Sequence, residues 1–191
     1  MAKVQIVRIQ PADLPAVIDL FARQVYTAHP ADARTHFADH KEGQADTFLA
    51  LVVDILAGYL TLRWQSNNPQ FRQHNIPLIH HLAVFPAFQR QGIATRLMEA
   101  AEQLIATRAT TAGITVGLFA PYGPAQRLYA RRGYVPDGRG VCQGQRPLAE
   151  GETVTVDHDL ILWLTKDLAA PSVQRPNGHN SENRADDAFK R

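Results

Sequence analysis

Cysteine is all but missing. Cys142 is the one thiol in 191 residues. That excludes an intramolecular disulfide and any Cys-rich zinc site, and it fits a reducing, cytoplasmic compartment. A surplus of charge is missing too: 20 Lys and Arg face 18 Asp and Glu, for a formal net charge of +2. A dedicated binder of nucleic acid or of membrane surfaces needs a larger basic excess, so neither partner is expected. Long apolar runs are absent. The most apolar stretch, Phe48 to Leu60, holds Asp54 and Gly58 and is too short for a bilayer span. The first ten residues alternate Val4 and Ile6 with polar positions and show no cleavage pattern, so no secretory signal is read there. No internal repeat is visible. With 45% hydrophobic and 20% charged residues, the chain has the composition of a globular domain with a real core.

The organisation follows from periodicity. Residues 1–169 read as one domain. Residues 170–191 are rich in Pro, Gly, Asn and Ser without apolar period, and read as a mobile tail outside the core. Val4 to Arg8 is strand-like. Asp13 is placed to cap a helix with Pro15 in its first turn and a stripe of Leu14, Val17, Ile18 and Phe21. Thr27 to Asp46 is polar, with His29, His36 and His40, and reads as a short helix flanked by loops. Phe48 to Val53 and Gly58 to Trp64 are strands joined by a poorly signalled turn. Ser66 to Asn75 reads as a loop, and Ile76 to Phe85 as a strand. A helix spans about Gly92 to Thr107, a strand Ile114 to Phe119, a helix Pro124 to Arg132 with Gly133 as terminator, and a last strand Leu160 to Leu164. Strands outnumber helices in mixed order. This favours an α/β domain with a mixed, largely antiparallel sheet flanked by helices over a doubly wound parallel one.

The chemistry concentrates in Ile79 to Met98, IHHLAVFPAFQRQGIATRLM. A strand ends before Pro86, a loop carries Gln89, Arg90 and Gln91, and a helix opens at Gly92. Such a junction aims several unpaired backbone N–H groups at one point. The helix dipole and Arg90 add positive charge, which suits phosphate, and Gly92 lets main chain approach a ligand. Neither the P-loop pattern nor the dinucleotide-binding glycine triplet occurs.

Gln89, Gly92 and Ala94 resemble motif A of the GCN5-related N-acetyltransferase (GNAT) superfamily: an Arg or Gln three positions before a Gly, and a Gly or Ala two positions after it. Ala125 to Tyr134, AQRLYARRGY, resembles its motif B. The element order from Lys3 to Leu168 is similar to the family fold, whose strands splay to hold acetyl-CoA. The resemblance implies acetyl-CoA as cosubstrate. Main chain of Leu82, Ala83 and Val84 would pair with the pantetheine arm, and N–H groups from Arg90 through Gln91, Gly92, Ile93 and Ala94 to Thr95, beside Gln89, would hold the pyrophosphate. It implies a small-molecule or peptide amine as acceptor, and a homodimer as one common assembly. Many members carry Asn three positions before the motif B alanine; Tyr122 stands there in this chain.

Acetyl transfer to an amine needs deprotonation of the nucleophile, polarisation of the thioester carbonyl and stabilisation of the leaving thiolate. Tyr129 matches the family's general acid. Tyr134 is read as packing. Some members carry a Glu on the strand before motif A, but Asn75 to Val84 contains no carboxylate. His80 is the candidate base, with His81 and water as alternatives. Because neighbouring strand residues face opposite sides, at most one of the two histidines is expected in the cleft, titrating near neutrality. The Leu82 N–H is the candidate to polarise the carbonyl. Cys142 lacks a paired base and reads as inert. The spacing of His29, His36 and His40 fits no compact metal motif, so no metal is expected, and a solvated or acceptor-facing loop is read there. The alternative reading of the whole chain is a CoA-binding regulatory module without catalytic activity.

Overall fold

The computed structural model describes residues 3–40 and 43–168; the tail read at 170–191 lies outside them. The elements are β1 (Val4–Arg8), α1 (Leu14–Gln24), α2 (Asp32–His36), β2 (Ala45–Val52), β3 (Ile55–Arg63), α3 (Pro69–Gln73), β4 (Leu78–Val84), α4 (Ile93–Ala106), β5 (Thr111–Gly117), α5 (Gly123–Arg131), β6 (Val135–Pro136), β7 (Cys142–Gln143), β8 (Arg146–Pro147) and β9 (Leu160–Asp167). One sheet runs in the order β1-β2-β3-β4-β5-β9-β7-β8, with β6 also on β9. Every pairing is antiparallel except β4 with β5. The sheet is therefore mixed, open and largely antiparallel, as the element order implied.

Strand alternation sorts the side chains onto two faces. On one face Phe48, Ala50, Leu60, Leu62, Ile79 and Ile114 pack under α4, which contributes Ile93, Leu97, Met98, Ala101 and Ile105. On the other, Leu49 and Tyr59 pack with Val17 and Phe21 of α1, and with Ala33 and Phe37 at α2. A third cluster of Phe71, Leu78, Cys142, Ile161 and Trp163 closes the β7–β9 side. Phe71 lies over Gly113, where any side chain on β5 would collide with its ring. Among the described residues no helix is long and apolar enough to cross a membrane.

Three local expectations are corrected. The segment read as a loop from Ser66 to Asn75 contains α3: the Asn68 side-chain oxygen accepts from the N–H groups of Gln70 and Phe71 at 3.0 and 3.1 Å, and Pro69 follows as the first helical residue. An Asn cap followed by Pro outweighs a polar composition. Asp13 stands at the N-cap of α1, but its carboxylate makes no bond into that helix; it accepts from the Gln10 N–H at 3.0 Å and closes the preceding 3₁₀ turn. The turn between β2 and β3 is made by Val53 and Asp54, both at positive φ (49° and 61°). Tight pairing of the flanking strands imposes that conformation without the usual Gly or Asn.

Candidate active site

The parallel contact between β4 and β5 is brief. Leu78 pairs with Gly113 and Ile79 with Ile114, and there pairing stops. Beyond this point β4 stays on β3 as far as Val84, and β5 stays on β9 as far as Gly117. The two inner strands thus diverge and leave facing edges unpaired. Leu82, Ala83 and Val84 lie on the β4 edge of this gap.

The gap leads to the helix junction. Val84 is followed by a 3₁₀ turn, Pro86–Phe88, and then by the loop into α4. Gln89 folds back, its Nε2 donating to the Val84 carbonyl at 3.0 Å. Arg90 and Gly92 both adopt positive φ, 64° and 77°; at Arg90 the left-handed conformation is unusual for a residue with a Cβ. The first main-chain bond of the helix runs from the Arg96 N–H to the Gly92 carbonyl at 3.1 Å. The N–H groups from Arg90 to Thr95 meet no described acceptor, and no side chain caps the helix. A Cβ on Gly92 would meet nothing within 4 Å, so there is open space at Gly92 itself. The junction holds no carboxylate and one cation, Arg90. These are the properties of an anion cradle at a helix N-terminus. With the unpaired edges beside it, the site fits an extended ligand that ends in a diphosphate.

The other wall of the gap is α5. The Gln126 Nε2 donates to the Gly117 carbonyl at 2.7 Å, anchoring α5 to the divergent end of β5. The Tyr122 ring lies directly over Gly117, and its hydroxyl pairs with His158 Nδ1 at 3.0 Å. One turn further, Tyr129 is buried. Burial first, and then Tyr122, push its phenol well above the usual tyrosine value, so it is protonated at every physiological pH.

The histidines depart from the expected alternation. In the β3–β4 register Thr61 faces His81 and Leu62 faces Ile79, which leaves His80 as an extra residue in a β-bulge. A bulge breaks the period of two. The His80 and His81 rings consequently lie against one another, with centroids 4.0 Å apart and planes tilted by 50°, and His81 reaches His36 of α2. The expectation was that the two rings point to opposite sides, with at most one in the cleft; in the structure they touch each other. Burial also lowers both imidazoles from their ordinary value. Burial above all, then His81, Arg63 and His36, push His80 down to about 3. Burial and Arg63 push His81 down to about 4.

His36, expected on a short helix or in a solvated or acceptor-facing loop, lies on α2 and contacts the His81 ring at 4.8 Å. Its Nδ1 bonds the Tyr26 hydroxyl at 2.9 Å and its Nε2 the Thr61 hydroxyl at 3.1 Å. Thr61 continues to Thr47 at 2.9 Å, and Thr47 to His40 Nε2 at 2.9 Å. The available signal was Thr47 and Thr61, polar residues on the inward phase of apolar strands. His29 is not part of this group. Among the described residues no set of three or more His, Cys, Asp or Glu is arranged to hold a metal. Cys142 is buried with its thiol pushed up by burial, and its Sγ faces the Gly140 carbonyl at 3.7 Å; it sits far down the sheet, on β7. A separate cavity of about 210 Å³, lined by Arg8, His40, Trp64 and Arg108 among others, lies at the opposite end of the strands from the α4 N-terminus.

A family model described as the acetyltransferase (GNAT) family matches residues 14–134. The chain belongs to that family. Its matched region takes in the bulge, the gap, the helix junction and Tyr129, and ends at Tyr134. Solved structures share the GNAT fold across most of their length. The ribosomal-protein-S18-alanine N-acetyltransferase from Escherichia coli is 18% identical, with a TM-score of 0.60, covering 91% of this chain and 99% of that one. A ribosomal L7/L12 alpha-N-protein acetyltransferase is 15% identical, with a TM-score of 0.58, covering 88% and 95%. A GNAT acetyltransferase from Bacillus cereus is 11% identical, with a TM-score of 0.57, covering 87% and 98%. At these identities the likeness is one of fold. No curated protein matches the chain.

Proposed function

We propose that this GNAT chain is an N-acetyltransferase that moves an acetyl group from acetyl-CoA to a primary amine by direct attack within a ternary complex. The observation that carries the reading is the gap between β4 and β5 opening onto the uncapped, carboxylate-free N-terminus of α4.

The thioester supplies an acyl carbon activated toward nucleophiles. Main chain of Leu82, Ala83 and Val84 binds the pantetheine arm as an added strand, and the amides from Arg90 to Thr95 take the diphosphate. The Leu82 N–H stabilises negative charge as it develops on the carbonyl oxygen. The acceptor attacks as the free amine. A base whose conjugate acid has a pKa near 3 is too weak to strip a resting ammonium. His80 is neutral throughout the physiological range and is suited to take the proton that becomes acidic once the C–N bond forms. His81, its neighbour, and water are the other candidates. As the C–S bond breaks, Tyr129 gives its hydroxyl proton to the departing thiolate, which leaves as the thiol, and is reprotonated by the proton that the amine released to His80 or water. Of the two ribosomal enzymes that share the fold, one is named an alpha-N-protein acetyltransferase and the other an S18-alanine N-acetyltransferase. A small-molecule or peptide amine is the acceptor class we favour.

Calorimetry with acetyl-CoA and a thiol-release assay over an amine panel test the reading together. Binding should be detectable, and Tyr129→Phe should lower kcat by about 10- to 100-fold with cofactor affinity little changed. No binding at millimolar acetyl-CoA defeats the proposal. Binding without thiol release for any amine points instead to a CoA-binding regulatory module.

A further inference from the structure

On the α1–α2 face of the sheet, the bulge histidines show no side-chain hydrogen bond among the described residues. His81 Nδ1 is buried and meets no hydrogen-bond partner among the described residues, a costly state for a polar atom. What fixes the His81 ring is contact: His80 on one side at 4.0 Å and His36 on the other at 4.8 Å, tilted by 32°. His36 is the opposite case. Both of its nitrogens are engaged, by Tyr26 and by Thr61. Its ring is boxed by Phe21, Phe37 and Tyr59 at 5.4, 4.7 and 5.8 Å. Thr61 is also the residue directly across the strand pair from His81. One side chain therefore ties the His36 ring to the very rung that carries His81.

We propose that His36 is a positioning residue, which holds the His81–His80 pair in the orientation that faces the reacting amine. The hydrogen-bonded file Tyr26–His36–Thr61–Thr47–His40 is the frame that holds His36.

The file constrains itself. A neutral imidazole has one donor and one acceptor nitrogen, and each hydroxyl has one proton. Once Tyr26 donates to His36 Nδ1, Nε2 must donate to Thr61; in the other tautomer Nδ1 donates to Tyr26 and Nε2 accepts from Thr61. Either way no bond can turn alone, so His36 has no rotational freedom without breaking two bonds. The charged or titratable groups facing it are Tyr26 beyond α1, His40 beyond α2, Tyr59 and Arg63 on β3, and His81 on β4. None of them is a carboxylate that would favour imidazolium. Burial, then His81, His40 and Arg63, keep His36 down at about 3. A neutral ring presents its face to His81 without charge repulsion.

The inference rests on the proposed role of His80 and His81, and its test separates the two. His36→Phe keeps the ring volume and the aromatic box but loses both hydrogen bonds. It should lower kcat about tenfold or more, as small misplacements of reacting groups do, while the KM for acetyl-CoA stays within about twofold. Imidazole ¹H–¹⁵N spectra of the full chain should show the His80 and His81 ring signals moved and broadened. Thr61→Val and Tyr26→Phe, each removing one bond, should act in the same direction by a smaller factor; they decide the matter if His36→Phe does not fold. A lowered melting temperature with kcat and the His80 and His81 signals unchanged overturns the proposal, because a merely structural residue behaves that way. If the unaltered chain shows no acetyl transfer, the functional reading fails, and the ring signals alone decide whether His36 positions its neighbours.

Discussion

Lowering the pH from 7 to 5 should cost this protein a large part of its stability, with three imidazoles as the cause. His36 and His80 are held down at about 3 and His81 at about 4, against an ordinary value of 6.5. The unfolded chain takes up protons on these rings below pH 6.5, and the fold refuses them until pH 4 or lower. Unfolding therefore binds up to three protons in that window, and stability falls as pH falls through it. Each proton contributes about 1.4 kcal/mol per pH unit, which between pH 7 and 5 amounts to at most about 1.9 kcal/mol for each ring. Three rings give about 5 to 6 kcal/mol. Because each ring keeps partial contact with water, we discount this to about 3 to 4 kcal/mol, still a large share of the roughly 5 to 15 kcal/mol that holds a domain together. Glu102 acts in a lower window. Despite burial, Arg132 and Lys166 hold its carboxyl below its ordinary 4.5, so its contribution is lost only beneath the range measured. The assay is urea unfolding at fixed ionic strength at several pH values between 7 and 5, followed by Trp64 and Trp163 fluorescence. The slope of stability against pH counts the protons. With the same discount, about one to two should be found near pH 5.5, and fewer in His36→Phe. A count below one, or equal slopes in the two proteins, would refute the burial argument.

Glu102 on α4 accepts from Arg132 Nε and Nη2 at 2.9 and 2.8 Å and from Lys166 Nζ on β9 at 2.6 Å. Glu102→Gln leaves two half-buried cations uncompensated and should cost about 3 kcal/mol in urea unfolding; Glu102→Gln with Lys166→Met should recover part of it. Gly113→Ala drives a Cβ into the Phe71 ring and should cost about 1 to 3 kcal/mol, read as a lowered melting temperature; an unchanged melt would mean that the ring moves aside freely. Gly92→Ala, at φ +77°, should cost about 1 to 2 kcal/mol and weaken acetyl-CoA in calorimetry. Unaltered affinity there would place the diphosphate elsewhere.

The parts of this molecule that were legible from residues alone are those where chain conformation is set by one residue type. Gly92 and Gly133 sit at positive φ at a helix start and a helix end, and their flanking patterns announced both. Helix α4 was legible because fourteen residues carry a full apolar face. By contrast α2 and α3 are five residues each, too short for a period to register: the residues alone give a short helix somewhere in Thr27 to Asp46 without bounds, and α3 as loop, so the side on which His36 packs was not legible. The bulge was not legible either. His80 and His81 sit in an apolar run with neither Gly nor Pro between Leu78 and Val84, and an extra residue there leaves no local mark.

Yet that single irregularity accounts for much of the site. Pairing of β4 with β5 ends at Ile79, and the extra residue on the β3 side is His80, the next position along. Bulged strands bend and twist more than regular ones. A bend at His80 would carry the rest of β4 away from β5 while turning two successive imidazoles to one face. The gap and the histidine contact would then both follow from the same inserted residue. Removing it by deletion of His80 should restore alternation, part the two rings and narrow the gap together. A variant that lost the contact but kept the gap would show that the strands diverge for some other cause, such as the Phe71 ring wedged over Gly113.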